Sequence, residues 1–162
     1  MITIRKFRPE DALTVYRYSS DFENTYYMLN NPFSSLEEAS AFVEKCIKAY
    51  EKNPIPYLSF AVLSDDTHIG EVFASLSEKE ADLGWIIDKN YWGRGYATEA
   101  ARLLMAYLEN TLGIREFVAY CDARNIASQK VMKHLGMHYA GSNGIRTYEK
   151  EVSDGEELIY RK

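Results

Sequence analysis

A strand-like apolar run, two glycines spaced one residue apart and a helical run follow one another in the middle of the chain. Residues 83–87 form the apolar run, Gly93 and Gly95 lie at the joint, and residues 99–109 have helical spacing. Glycine adopts backbone angles that other residues avoid, and it lets an anion approach the main chain closely. The first N–H groups of a helix have no internal partner and attract negative charge. The joint therefore predicts a phosphate-binding loop, although Gly-x-Gly segments also occur in turns that merely end a strand.

Three further segments give this loop a context. The chain opens with Ile-Arg-Lys-Phe-Arg-Pro-Glu-Asp-Ala at 4–12, has Asn-Ile-Ala-Ser at 125–128, and has Leu-Gly-Met at 135–137. With the loop, these segments resemble the Gcn5-related N-acetyltransferase superfamily over nearly the whole chain. Residues 92–97 are similar to its acetyl-CoA signature, Gln/Arg-x-x-Gly-x-Gly/Ala, with Trp92 at the first position. Tyr-Trp-Gly at 91–93 and Ala-Thr-Glu-Ala at 97–100 resemble the branch of ribosomal-protein-alanine N-acetyltransferases and their relatives.

The order of the elements predicts an α/β (α+β) fold in a single N-acetyltransferase domain over residues 1–162. We expect a mixed sheet of about seven strands flanked by about four helices, with a right-handed crossover through the helix after the loop. The resemblance implies that the two strands joined by this helix splay apart and hold coenzyme A (CoA) between them. Ile86 and Ile87 would then offer backbone groups to the pantetheine arm. The other expected CoA-binding residues are Trp92, Gly93, Arg94, Gly95, Tyr96, Ala97, Thr98, Asn125 and Ser128.

Periodicity and capping residues locate the elements. Pro9 suits the first position of a short helix, and Ser35 with Glu38 forms a capping box for a helix that stops before Pro54. Gly113 is expected to end the helix after the loop, and Asn125 to cap a helix that runs to residue 135. Strands are predicted at 2–7, 57–63, 68–76, 81–88, 115–121, 145–151 (with Tyr139 nearby) and 157–161.

Acetyl transfer from acetyl-CoA to an amine needs a base, because amines are mostly protonated at neutral pH. Glu71, Glu80 and Asp82 are candidates. We favour Asp82, two residues before Gly84, because the resembled branch usually has an acidic residue there. A carboxylate with an ordinary pKa would work best through ordered water. Asp82 can instead be a solvated or salt-bridged strand end.

An acid for the departing thiolate is less easily found. Many members of the superfamily have a tyrosine four residues after the position of Ser128, and here that position is Met132. Ser128 is therefore the hydroxyl predicted to contact the CoA sulfur, directly or through water. The alternative is that Ser128 only stabilises its own helix terminus, as Asn125 does. No covalent enzyme intermediate is expected, because neither cysteine lies in a matched motif.

Composition limits the partners. A net charge of −5 argues against a nucleic-acid binder, no apolar stretch is long enough to cross a bilayer, and the histidines and cysteines lack metal-ligand spacing. Two cysteines in such a chain are typical of a reducing, cytoplasmic compartment.

We expect acetyl-CoA as co-substrate, no metal, and an amine acceptor that is a protein N-terminus or a small molecule. Homodimers are frequent in the resembled family. The aromatic-rich segment 21–33 and the C-terminal hairpin are expected to decide the acceptor. A non-catalytic acyl-CoA-binding or regulatory domain is the alternative function.

Overall fold

The computed structural model describes all residues, 1–162, and contains one sheet of seven strands in the order β1-β2-β3-β4-β5-β7-β6. Neighbouring strands are antiparallel except β4 and β5, which are parallel. The strands are β1 (Ile2–Lys6), β2 (Tyr57–Ser64), β3 (Thr67–Leu76), β4 (Glu80–Ile87), β5 (Glu116–Asp122), β6 (His138–Arg146) and β7 (Gly155–Arg161). The predicted mixed sheet of seven strands is confirmed.

Four α-helices cover the sheet: α1 (Ala12–Ser19), α2 (Leu36–Ala49), α3 (Tyr96–Leu112) and α4 (Ile126–His134). Short 3-10 turns at Pro9–Asp11 and Lys89–Tyr91 precede α1 and the glycine loop. Two clusters of buried side chains lie between the sheet and the helices, one on each face of the sheet. One joins α3 and α4 to one face of the sheet, with Leu104 and Phe117 among its members. The other joins α1 and α2 to the opposite face, with Val15 and Val43.

The predicted helix ends are close to the observed ones. Ser35 caps α2 by accepting a hydrogen bond from the backbone N–H of Glu38 at 3.2 Å, whereas the Glu38 carboxylate accepts from the N–H and hydroxyl of Ser34. The capping box is therefore shifted by one residue on its return side. Gly113 follows α3 with φ of +68°, in the left-handed conformation that commonly ends a helix.

The sixth strand lies earlier than expected. The sequence predicted it at 145–151, but β6 spans His138–Arg146 and residues 147–154 form the connection to β7. The strand is at the edge of the sheet and almost wholly exposed, so it lacks the alternation of buried and exposed residues that identifies a strand. Its register also shifts twice, near Gly141 and Gly144, which both have positive φ.

Parallel pairing between β4 and β5 is limited to one end. Only Glu80, Ala81 and Asp82 pair, with residues 116–118 of β5. Both strands then continue for several residues without pairing to each other, although β4 stays paired with β3 and β5 with β7, so the two strands separate toward their carboxyl ends. The helices α3 and α4 begin shortly after these ends. The predicted splayed parallel pair is confirmed, and its gap opens beside two helix N-termini.

Candidate active site

The junction between β4 and α3 presents a row of free backbone donors. Gly93 and Gly95 both have φ of +77°, and a Cβ added at either glycine would meet no atom within 4 Å. The N–H groups of residues 93–98 donate to no group of the protein, and Gly95 caps α3 without any side-chain hydrogen bond. A helix N-terminus with free N–H groups is suited to bind phosphate. Positive φ and open space together explain why glycine occupies both positions.

The side chains around this loop shape its entrance. The indole N–H of Trp92 donates to the Ile87 carbonyl at 2.7 Å, which fixes the loop to the end of β4. The guanidinium of Arg94 lies 5.5 Å from the centre of the Tyr91 ring and is exposed, so a cation is available beside the free N–H groups. Among the predicted CoA-binding residues, the structure thus brings residues 92–98 together on one loop and helix start.

The register decides which backbone groups face the gap between β4 and β5. The Asp88 N–H donates to the Ile69 carbonyl of β3. Along a strand, the backbone N–H and C=O groups of successive residues point alternately to the two neighbouring strands. Ile86 therefore directs its N–H and C=O to β3, whereas Trp85 and Ile87 direct theirs to the gap. The same alternation, counted from the bonds between Phe117 and Lys162, directs the backbone of Tyr120 to the gap. The geometry thus favours Trp85 over Ile86 as the donor of backbone groups.

The start of α4 holds the second predicted CoA-binding pair. The Asn125 side chain accepts from the Ser128 N–H at 3.2 Å, and its amide donates to the Ser128 hydroxyl oxygen at 3.1 Å. Asn125 is therefore the N-cap of α4. Ser128 is half-buried, and its hydroxyl hydrogen has no partner in the protein. Met132 is buried in the core beneath α3 and α4.

Asp82 is the candidate base at the narrow end of the gap. Its neighbours Ala81 and Leu83 are in the core with α3, so its side chain lies on the opposite face of the sheet, as Tyr120 does on β5. No hydrogen bond or ion pair holds its carboxylate. Burial raises the pKa of Asp82 to about 6, and the negative charges of Glu80 and Glu157 add to this effect. A pKa closer to neutrality makes the carboxylate a better general base.

The two other acids are in different environments. Glu80 forms an ion pair with Arg161 at 2.6 Å near the surface. Glu71 is 5% exposed and lies between the sheet and α1 and α2, where its carboxyl group accepts a hydrogen bond from the Ser59 hydroxyl at 3.0 Å. Burial raises the pKa of Glu71 to about 7. Its burial makes Glu71 a weaker candidate than Asp82 for contact with an acceptor.

The connection between α1 and α2 lies on the same side as Asp82. An edge-to-face ladder of Phe22, Tyr26 and Tyr27 runs through it, with ring centroids 5.8 and 5.0 Å apart. The ammonium group of Lys89 contacts Asp21 at 2.8 Å and Glu23 at 3.1 Å, which ties the connection to the segment after β4. No local sequence pattern indicates these ion pairs, because they join residues 66 and 68 positions apart.

None of the helices is both long and apolar enough to span a bilayer, and no cluster of three or more His, Cys, Asp or Glu side chains is placed to hold a metal ion.

Comparison with known families adds the decisive observation. The family described as the acetyltransferase (GNAT) domain matches residues 1–138. The chain belongs to the GNAT acetyltransferase family. The protein is thus an acyltransferase, as the sequence motifs predicted.

A relative from Bacillus subtilis (strain 168) supports the same assignment. The uncharacterized N-acetyltransferase YnaD is 32% identical over 142 residues, which cover 86% of this chain and 81% of YnaD. The similarity therefore extends over most of both proteins.

Solved acetyltransferase structures share the fold. The microcin C7 self-immunity acetyltransferase MccE, in complex with acetyl-CoA and AMP, has a TM-score of 0.86 at 20% identity over 99% of this chain and 91% of MccE. The ribosomal L7/L12 N-acetyltransferase RimL with coenzyme A has a TM-score of 0.86 at 16% identity, over 99% of this chain and 93% of RimL. Spermidine N-acetyltransferase of Vibrio cholerae with CoA and spermine has a TM-score of 0.84 at 16% identity, over 98% of this chain and 94% of that enzyme. At these identities the likeness shows the fold alone.

Proposed function

We propose that residues 1–162 form one acetyl-CoA-dependent N-acetyltransferase domain that transfers an acetyl group directly to a primary amine in a ternary complex. The observation that carries this proposal is the row of free N–H groups at residues 93–98 beside the gap between β4 and β5. A diphosphate fits such a row, because the helix dipole and the N–H groups both favour negative charge. Acetyl-CoA, when bound, supplies the acetyl group as a thioester.

Each end of the gap has its own role in this proposal. The N–H groups of residues 93–98 and the Arg94 guanidinium hold the pyrophosphate. The gap-facing N–H and C=O of Trp85 and the N–H of Ile87 pair with the pantetheine arm, because the Ile87 carbonyl already accepts from the Trp92 indole. A free N–H on β4 also stabilises the negative charge that develops on the acetyl oxygen, as donors placed for the transition state do. Tyr96, Ala97 and Thr98 take part through their backbone groups at the start of α3.

Asp82 removes the proton that the amine must lose. Its carboxylate is free of hydrogen-bond partners and lies on the face that holds the α1–α2 connection, where the acceptor would enter. With a pKa of about 6, Asp82 is mostly ionised at neutral pH and still basic enough to accept a proton through an ordered water. An ordered water would link the amine to Asp82, because a bridging water makes hydrogen bonds nearly as favourable as a direct contact.

Ser128 is the group proposed to contact the departing sulfur, because its hydroxyl hydrogen is free while its oxygen is held by Asn125. Transfer without a covalent enzyme intermediate agrees with the state of the cysteines. Both Cys46 and Cys121 are buried, and burial raises their pKa to about 12 and about 11, so neither is a ready nucleophile.

The acceptor class is proposed from the neighbours in fold. RimL acts on a ribosomal protein and the Vibrio cholerae enzyme on spermidine, so both a protein N-terminus and a small polyamine are accommodated by this architecture. The surface between Asp82 and the aromatic ladder of the α1–α2 connection is the proposed place for the amine. We further propose that the protein works in the cytoplasm, where acetyl-CoA and reduced thiols are found together.

The second candidate function is a non-catalytic acyl-CoA-binding domain, and the buried Met132 in place of a tyrosine favours it. Measuring thiol release from acetyl-CoA separates the two functions. The assay would use spermidine, a peptide with a free N-terminal serine, a peptide with a free N-terminal alanine and free amino acids as acceptors. Release of thiol with at least one amine supports the enzyme. Acetyl-CoA binding without release from any amine would support the binding domain.

A further inference from the structure

The α1–α2 connection is held by backbone carbonyls that face the segment around the end of β6. The Tyr27 carbonyl accepts a hydrogen bond from the Arg146 guanidinium at 2.9 Å, across 119 residues of sequence. The Leu29 carbonyl accepts from the Glu149 N–H at 3.0 Å. Thus the segment proposed to bind the acceptor is fixed by groups from the other end of the chain.

Lys150 adds a further tie between the same two segments. Its ammonium group donates to the Thr25 carbonyl and to the Asn30 carbonyl, the latter at 3.2 Å. A lysine can move its ammonium group among several carbonyls, because its stem is flexible and its donors are not held in one plane. Lys150 therefore holds the segment without fixing its position closely.

Arg146 differs, because its planar guanidinium donates in three directions at once. Besides Tyr27 it donates to the Tyr148 hydroxyl oxygen at 3.1 Å and to the Glu157 carboxylate of β7 at 2.6 Å. Its side chain is only 10% exposed. The rigid fork of a guanidinium fixes the relative positions of its partners, which a flexible ammonium group does not.

The network continues from Arg146 toward the start of α4. The Tyr148 hydroxyl donates to Asp122 at 2.8 Å, and the fully buried Asp122 carboxylate also accepts two bonds from the Arg124 guanidinium. The Asp122 carbonyl accepts from the Asn125 N–H at 2.8 Å. Hydrogen bonds through Arg146, Tyr148 and Asp122 thus link the α1–α2 connection to the N-cap of α4.

We infer that Arg146 is a positioning residue that determines acceptor affinity. It does so by holding the α1–α2 connection in place relative to the CoA-binding edge, which comprises residues 93–98 and the start of α4. This inference rests on the proposed function, because it concerns how the acceptor is held at that site. Arg146 touches none of the reacting atoms. It acts by fixing the Tyr27 carbonyl relative to Glu157 and to the Tyr148–Asp122 pair.

The test is Arg146→Lys, which keeps the charge and the stem but cannot reach three partners in one plane. We expect the Michaelis constant for the best amine of the panel to rise about tenfold, equivalent to about 1.4 kcal/mol. The acetyl-CoA dissociation constant, measured by calorimetry, should change less than about twofold, since the 93–98 loop is untouched. Hydrogen exchange of residues 25–30 should become faster.

Arg161→Lys is the matched control. Arg161 also lies in the C-terminal hairpin and also pairs with a carboxylate at 2.6 Å, that of Glu80, but it has no contact with the α1–α2 connection. It should leave both the amine Michaelis constant and the exchange of residues 25–30 unchanged. Tyr148→Phe, which removes one partner of Arg146 and no charge, should show the Arg146→Lys pattern more weakly and replaces that variant if it does not fold.

The outcomes are separable from those of the proposed function. Unchanged hydrogen exchange and an unchanged amine Michaelis constant in Arg146→Lys would overturn the inference, as would an equal loss of acetyl-CoA affinity. If no amine is acetylated, the proposed enzyme fails. The exchange and calorimetry results then still decide whether Arg146 fixes the segment independently of the CoA-binding edge.

Discussion

The buried carboxyl group of Glu71 makes stability depend on pH in a way that one substitution can isolate. Its pKa is raised by burial from the ordinary 4.5 to about 7, while the Ser59 hydroxyl offsets part of that rise by donating to it. Because the folded pKa lies above the unfolded one, neutral Glu71 contributes its full stability below about pH 4.5. That contribution is lost as the pH rises through 7.

The substitution Glu71→Gln removes this dependence, because glutamine is neutral and similar in shape. One pKa unit corresponds to about 1.4 kcal/mol, and most of the loss falls between the two pKa values, so the loss between pH 5 and pH 8 is about 2.5 kcal/mol. We expect the free energy of unfolding of Glu71→Gln, relative to the original protein, to be about 2.5 kcal/mol more favourable at pH 8 than at pH 5.

Urea unfolding at both pH values measures this quantity. Glu51→Gln is the control, since Glu51 is exposed in the turn after α2 and its side chain makes no hydrogen bond or ion pair. Its free energy of unfolding should differ from that of the original protein by the same amount at both pH values. A Glu71→Gln difference that is also independent of pH would show that Glu71 has the same pKa in the folded and unfolded protein, and would contradict the expected destabilisation.

Three further predictions concern the site and the strand that leads to it. Asp82→Asn should lower kcat by about 100-fold. The rate of the original protein should fall as the pH drops through about 6, where the Asp82 carboxylate becomes protonated, and the rate of the variant should not. A fall in rate that persists in the variant would assign the base to another group. Ser128→Ala should slow acetyl transfer several-fold at saturating acetyl-CoA, and a change of less than about twofold in a steady-state thiol assay would remove Ser128 from the chemistry. Gly84→Ala would place a Cβ 2.1 Å from the Phe73 ring, so it should cost about 1–3 kcal/mol of stability in urea unfolding, and an unchanged stability would contradict that contact.

Local chemistry predicted the parts of the fold that depend on neighbouring residues. The capping serine Ser35, the helix-ending Gly113 and the N-cap Asn125 each act within a few residues of sequence, and each has the predicted role in the structure. The same holds for Gly93 and Gly95, whose positive φ values are a backbone property. Resemblance to the family predicted the splay of β4 and β5, which no periodicity reveals.

Other features depend on contacts between distant segments. The edge strand β6 was misplaced because an exposed strand has no buried face to mark it. The choice between Trp85 and Ile86 required the register with β3, which is set by pairing rather than by composition. Arg146 looked like any charged residue, since its bond to Tyr27 spans 119 positions. Trp85 could be identified only by counting strand alternation from a residue whose pairing with β3 is known.

Calorimetric titration with acetyl-CoA tests the central claim most directly, using Gly95→Ala and the matched control Gly113→Ala. Both glycines have positive φ, +77° and +68°, and open space around them, so the backbone strain is comparable. Only Gly95 lies at the free N–H groups that we expect to hold the pyrophosphate. We expect heat of binding for the original protein, an affinity at least about tenfold lower for Gly95→Ala, and an unchanged affinity for Gly113→Ala. Absence of binding by the original protein, or equal affinities for the two variants, would contradict it.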